Sequence, residues 1–124
     1  MNVERAMTLG RLALDLQDGR DAVDFFSVAV RQDPSNGQAW HYLGIAHLAL
    51  QENALALAAL TRAQSLIPSD APNCFFLALA HAQSGNLVEA RRNAEAALRL
   101  RPGFAPAKQL LQQLESDRSP IARH

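Results

Sequence analysis

Apolar residues recur at helical spacing along most of the chain. Val3, Ala6, Leu9, Gly10, Ala13 and Leu14 share one face of a first helix predicted over residues 3–17. Asp18-Gly19-Arg20 follows, and the access of glycine to positive φ predicts a turn there. A second helix is predicted over Asp21–Gln32, with Ala22, Phe25, Phe26, Ala29 and Val30 on its apolar side. Pro34 lacks an amide hydrogen and restricts the residue before it, so this helix ends near Asp33. Ser35 or Asn36 can cap a third helix, Gly37–Leu50. A tight connection at Gln51–Asn53 leads to a fourth, Ala54–Ile67, whose only charge is Arg62. Asp70 is the expected N-cap of a fifth helix, with Pro72 in the first turn, where a missing N–H costs nothing. That helix ends near Ser84, at the turn Gly85-Asn86. A sixth runs over Leu87–Leu100. A seventh starts near Ala105 and ends near Ser116. The tail that follows holds Pro120 and little apolar material, and is expected to fray.

The same pattern returns at a fixed offset. Pro34, Pro68 and Pro102 lie 34 residues apart, as do Gly10, Gly44 and Ala78. Ala22, Ala56 and Ala90 keep that period, and so do Ala29, Ala63 and Ala97, and Leu9, Leu43, Leu77 and Leu111. Internal repetition at this period marks stacked helical hairpins. Small residues on both helices let two axes approach to about 8–10 Å. One hairpin cannot bury its apolar face alone, so stacking supplies the core. The seventh helix carries Leu110, Leu111 and Leu114 on one side and Gln109, Gln112 and Gln113 elsewhere. That is the composition of a terminal cap, one face dry and one wet.

These residues resemble the tetratricopeptide repeat family. The central repeat, residues 37–70, matches the family pattern with Trp40, Leu43, Gly44, Ala56, Ala63 and Pro68. It departs with His47 at the tyrosine place and Leu60 at the second aromatic place. The first repeat, 3–36, matches with Leu9, Gly10, Ala22, Phe26, Ala29 and Pro34. The third, 71–104, matches with Leu77, Ala90, Ala97 and Pro102. The resemblance implies an all-α fold, a right-handed superhelix (solenoid) of three hairpins plus a capping helix over 105–116. Residues 1–117 would form one domain, followed by a frayed tail at 118–124.

The resemblance also implies a function. In this family the first helices of successive repeats line a concave groove that takes peptides. The matching positions here include Met7, Arg11 and Leu14, then His41, Ile45 and Leu48, then Phe75, Leu79 and Gln83, with Gln109 and Gln113 from the cap. The centre of this set is apolar, which suits an amphipathic helix or an apolar peptide segment. Family members that grip a C-terminal carboxylate use Lys and Asn in the groove. Only Arg11 could act as an anion clamp here, so that specificity is not expected. The expected function is a non-enzymatic scaffold or adaptor that binds a protein or peptide partner. The alternative is self-assembly, through the same apolar surface or the uncapped first hairpin.

Composition narrows the remaining classes. The chain is 48% hydrophobic with zero formal net charge, so charge gives nucleic-acid binding no support. No apolar run exceeds the length of Ala54–Leu60, far short of the ~20 residues that span a bilayer. Cys74 is the only cysteine, which excludes an internal disulfide and fits a reducing compartment. A cytoplasmic location is the expectation. Cys74 and His81 share a helix face but stand about 10 Å apart along the axis, too far to share one zinc ion. His41 and His47 point in different directions, and no metal or other cofactor is expected. No phosphate loop, paired-histidine motif or glycine-flanked serine is present, so no catalytic residue is assigned.

Overall fold

The computed structural model describes residues 1–118, and among them every regular element is an α-helix. The chain divides into two compact units. The first, Met1–Pro68, holds α1 (Val3–Asp15), α2 (Gly19–Gln32), α3 (Gly37–Ala49) and α4 (Asn53–Leu66). The second, Ser69–His124, holds α5 (Ala71–Gln83), α6 (Leu87–Leu100) and α7 (Ala105–Arg118). Three hairpins and a closing helix are thus formed at the expected places. Of the tail expected to fray, residues 119–124 lie outside the described residues.

Short polar side chains start α1, α2, α3 and α5 by accepting from otherwise orphaned N–H groups. Asn2 accepts from the Arg5 amide at 2.8 Å, Asp18 from Asp21 at 3.0 Å, and Asn36 from Ala39 at 3.1 Å. Asp70 caps α5 with a longer contact, 3.5 Å from the Asn73 amide. Pro72 sits in the first turn of α5, as expected.

The chain makes one kind of hairpin turn three times. A backbone N–H reaches back five residues, from Asp18 to Ala13 (2.8 Å), Glu52 to His47 (2.9 Å) and Asn86 to His81 (2.8 Å). The residue before each donor is left-handed: Gln17 (φ 60°), Gln51 (φ 60°) and Gly85 (φ 85°). Gly19, where positive φ was expected, is instead the first residue of α2. The turn is a helix C-terminal closure, and its left-handed residue comes directly after the last helical carbonyls. Gly19 comes two residues later, so Gln17 takes a conformation that costs an L residue more than glycine.

Within each hairpin a small residue on the first helix receives a particular side chain from the second. A Cβ at Gly10 would lie 2.5 Å from the Phe26 ring, and one at Gly44 would lie 2.5 Å from Leu60 Cγ. The third hairpin replaces both partners: Ala78 and Ala94 share one buried cluster. Leu110 and Leu114 of α7 close over that cluster, and Ala107 packs with Cys74 and Ala97. Gln109, Gln112 and Gln113 face water, as a terminal helix requires.

In the first unit α2 packs against α3. Phe26 stacks on Tyr42 with centroids 5.4 Å apart, and Trp40 Nε1 donates to the Pro34 carbonyl at 2.8 Å. An ion-pair chain joins the two hairpins at their turns. Glu52 meets His47 Nδ1 at 2.9 Å and Arg20 Nη2 at 3.3 Å. The hydrogen bond from His47, then that from Arg20, holds the Glu52 carboxyl below its ordinary value against the opposing effect of burial.

Two outcomes follow from this packing. Gly44→Ala gains about 0.5–1 kcal/mol of helix preference but overpacks Leu60 at about 1–3 kcal/mol. Urea unfolding should report a net loss of about 1–2 kcal/mol. The double variant Gly44→Ala/Leu60→Ala recreates the Ala78–Ala94 pair and should lose less than the sum of the single variants. Glu52 has a folded pKa below its unfolded one. Its contribution is therefore complete above the unfolded value and vanishes as pH falls through the folded value. Glu52→Gln should melt below the wild type at neutral pH, and the two melting temperatures should converge in acid.

Candidate functional site

Helical periodicity brings residues three and four apart onto one face. On α1 this aligns Met7, Arg11 and Leu14, with Thr8 a turn before Arg11. Thr8, Arg11, Leu12, Leu14 and Asp15 of α1, with Tyr42 of α3, line an open depression of about 450 Å³. Arg11 is exposed at its rim, and Met7 and Leu14 are half-buried. The depression thus offers one guanidinium, one carboxylate, a hydroxyl and an aromatic face. Tyr42 is immobilised by its stack on Phe26 and by the edge of His41, whose ring centroid is 5.4 Å away.

The other expected contacts of the first unit differ in access. Ile45 is half-buried, whereas His41 and Leu48 retain only 7% and 8% exposure. Their side chains are largely committed to packing and present little surface.

In the second unit Phe75 and Leu79 of α5 are half-buried, and Gln83 is exposed at the end of that helix. Phe75 stands edge-on to Phe76 (5.1 Å) and to Phe104 (6.1 Å), and the Arg101 guanidinium lies 5.1 Å from the Phe104 centroid. Gln109, Gln112, Gln113 and Ser116 line a polar depression of about 420 Å³ on α7. Amide side chains there can both donate and accept toward an extended backbone.

Thr8 and Tyr42 were not singled out by sequence. Tyr42 directly follows His41, and its apolar ring with a polar tip is the side chain that suits a wet interface. Thr8 had no comparable signal. His47 and His81, at the tyrosine place of their repeats, have different surroundings. His47 pairs with Glu52, whereas His81 Nδ1 is buried without a hydrogen-bond partner among the described residues. Cys74 is buried beside Ala97 and Ala107. No group of three His, Cys, Asp or Glu side chains could hold a metal among the described residues, and no described helix is long and apolar enough to cross a membrane.

Comparison with known proteins supplies the context. A profile described as "Tetratricopeptide repeat" matches residues 7–71, more than half of the 124 residues. Among solved structures, MamA is similar with a TM-score of 0.89 at 27% identity, over 94% of this chain and 68% of that one. The Arabidopsis OM64 TPR domain is similar with a TM-score of 0.88 at 21% identity, over 90% and 93% of the two chains. The first TPR of Spaghetti (RPAP3), solved bound to the HSP90 peptide SRMEEVD, is similar with a TM-score of 0.86 at 21% identity, over 92% and 93%. At 21% identity the likeness is one of fold.

Proposed function

Because this chain belongs to the tetratricopeptide repeat family, we propose that it is a non-enzymatic protein-interaction module, an adaptor that takes an apolar or amphipathic segment of a partner on its first-helix faces. The observation that carries this reading is the first-helix surface itself. Met7 and Leu14 of α1 and Ile45 of α3 are only half-buried, Arg11 is exposed on α1, and Phe75 and Leu79 are half-buried on α5. Partly exposed apolar side chains gathered on one kind of helix are more economically explained by a partner than by the core. The first TPR of Spaghetti is bound to the HSP90 peptide SRMEEVD, three of whose last four residues are acidic. The matching positions here are Met7 and Ile45 in the first unit, where Arg11 is the cation, and Phe75 and Leu79 in the second, so an apolar segment fits them better than an acidic C-terminus. A soluble, cytoplasmic adaptor is the corresponding cellular reading.

A second reading is supported by Leu12 and Leu16, which are 51% and 71% exposed on the first hairpin. Copies of the chain could pair through them. Sedimentation at several concentrations separates the readings, since a strict monomer removes self-assembly.

The groove reading is tested by affinity capture from the native cell extract. Ile45→Asp and Leu79→Asp should each abolish capture of the retained partner while circular dichroism shows unchanged helicity. Capture that persists in both variants would move the contact surface elsewhere.

A further inference from the structure

The repeats of the first unit are a template for a surface that the first hairpin leaves uncovered. Leu43, Ala46 and Ala59 of the second repeat are buried in one cluster with Phe26, Ala29 and Val30, so the second helix of the preceding hairpin covers them. Leu9, Leu12 and Phe25 occupy the same positions one repeat earlier, and Leu16 corresponds to Leu50. No helix covers them within the first unit. Leu12 is 51% and Leu16 71% exposed. With Leu9, Phe25, Asp18 and Asp21 they line an apolar groove of about 210 Å³ between α1 and α2.

The template also specifies charge. In the second repeat the start of α2 meets the turn: a Cβ on Gly19 would lie 3.0 Å from Leu50, and Arg20 pairs with Glu52 at 3.3 Å. Asp18 stands where Glu52 stands, one period earlier, and Ala13 replaces His47. The local cation is therefore missing. Asp18, Asp21 and Asp24 form no ion pair among the described residues, and the Asp18 charge pushes the Asp21 carboxyl above its ordinary value. Like charges crowded beside exposed leucines favour a cationic occupant.

We propose that the α1–α2 groove, which borders the Arg11 depression at Leu12 and is centred on Leu16, is a second docking surface, and that it takes an α-helix of a partner protein with a first turn like that of α2. That helix has a small residue followed by Arg or Lys in its first turn, and a narrow apolar face. The small residue lies on Leu16, the cation meets the Asp18 carboxylate, and the apolar face covers Leu12.

The probe is a side-chain-stapled peptide of residues 18–32 with Asp21→Asn and Asp24→Asn, which leave Arg20 and Arg31 in excess, helical by circular dichroism and labelled for fluorescence anisotropy. Saturable 1:1 binding to the full chain is expected. Leu16→Asp should weaken it at least about tenfold, since it removes the apolar contact and introduces a fourth acid. Asp18→Asn keeps a capping oxygen for α2 and removes the charge. It should weaken binding about two- to fivefold and flatten the salt dependence. A peptide carrying Arg20→Glu should bind more weakly to wild type. Leu79→Asp, on the other proposed surface, should leave the affinity unchanged. Absence of saturable binding, binding indifferent to Leu16→Asp, or a dimer of the chain dissolved by Leu16→Asp would each overturn the proposal.

Discussion

The close approach of two helices inside each hairpin is the constraint on which the other features rest. At Gly10 and Gly44 there is no room for a single methyl group, because the Phe26 ring and the Leu60 branch occupy it. The contact fixes the rotation of each helix about its own axis. Once that is fixed, the remaining faces are assigned. On α1, Ala6, Gly10 and Ala13 turn inward, while Arg11, Leu14 and Asp15 are left toward the open depression, Leu16 toward the α1–α2 groove, and Leu12 to the border of both. Function on this fold is thus a remainder: it uses what the hairpin contact does not consume.

The repeats share geometry and differ in chemistry at the turn. The same backbone closure is kept three times. Beside it the second repeat holds the chain Arg20–Glu52–His47. The first repeat retains the acid, Asp18, without the histidine, and the third retains the histidine, His81, with Asn86 where the acid would be. A satisfied network in the second repeat is therefore flanked by two incomplete copies. Partial networks are the costly kind in a buried setting. Asp18 and its neighbours avoid that cost by lying at the surface.

The repeat length, the hairpins and the capping role of α7 were legible because proline, glycine and alanine recur at places where only they fit. Leu110 and Leu114 sit in the core as their spacing implied. The turn was misread at Gly19 because glycine signals permissiveness, not necessity, and Gln17 is forced into the left-handed region by the closure around it. Of the positions that the resemblance assigns to a groove, periodicity put Arg11, Ile45 and Leu79 on first helices but could not separate a half-buried side chain such as Ile45 from a buried one such as Leu48. That distinction depends on which neighbours arrive from elsewhere in the chain. Tyr42 shows the same limit, since its place in the depression depends on Phe26 stacking behind it.

Trp40, tied to the Pro34 carbonyl, is the only tryptophan, and Tyr42 two residues later is the only tyrosine. Both strong near-ultraviolet chromophores therefore belong to α3, and the second unit contributes only the weak bands of phenylalanine. Tryptophan and tyrosine emission follows the melting of the first two hairpins alone, while far-ultraviolet dichroism follows all the described helices. Agreement between the two signals would mark the chain as one cooperative block, and a lag between them would resolve its halves without any added label.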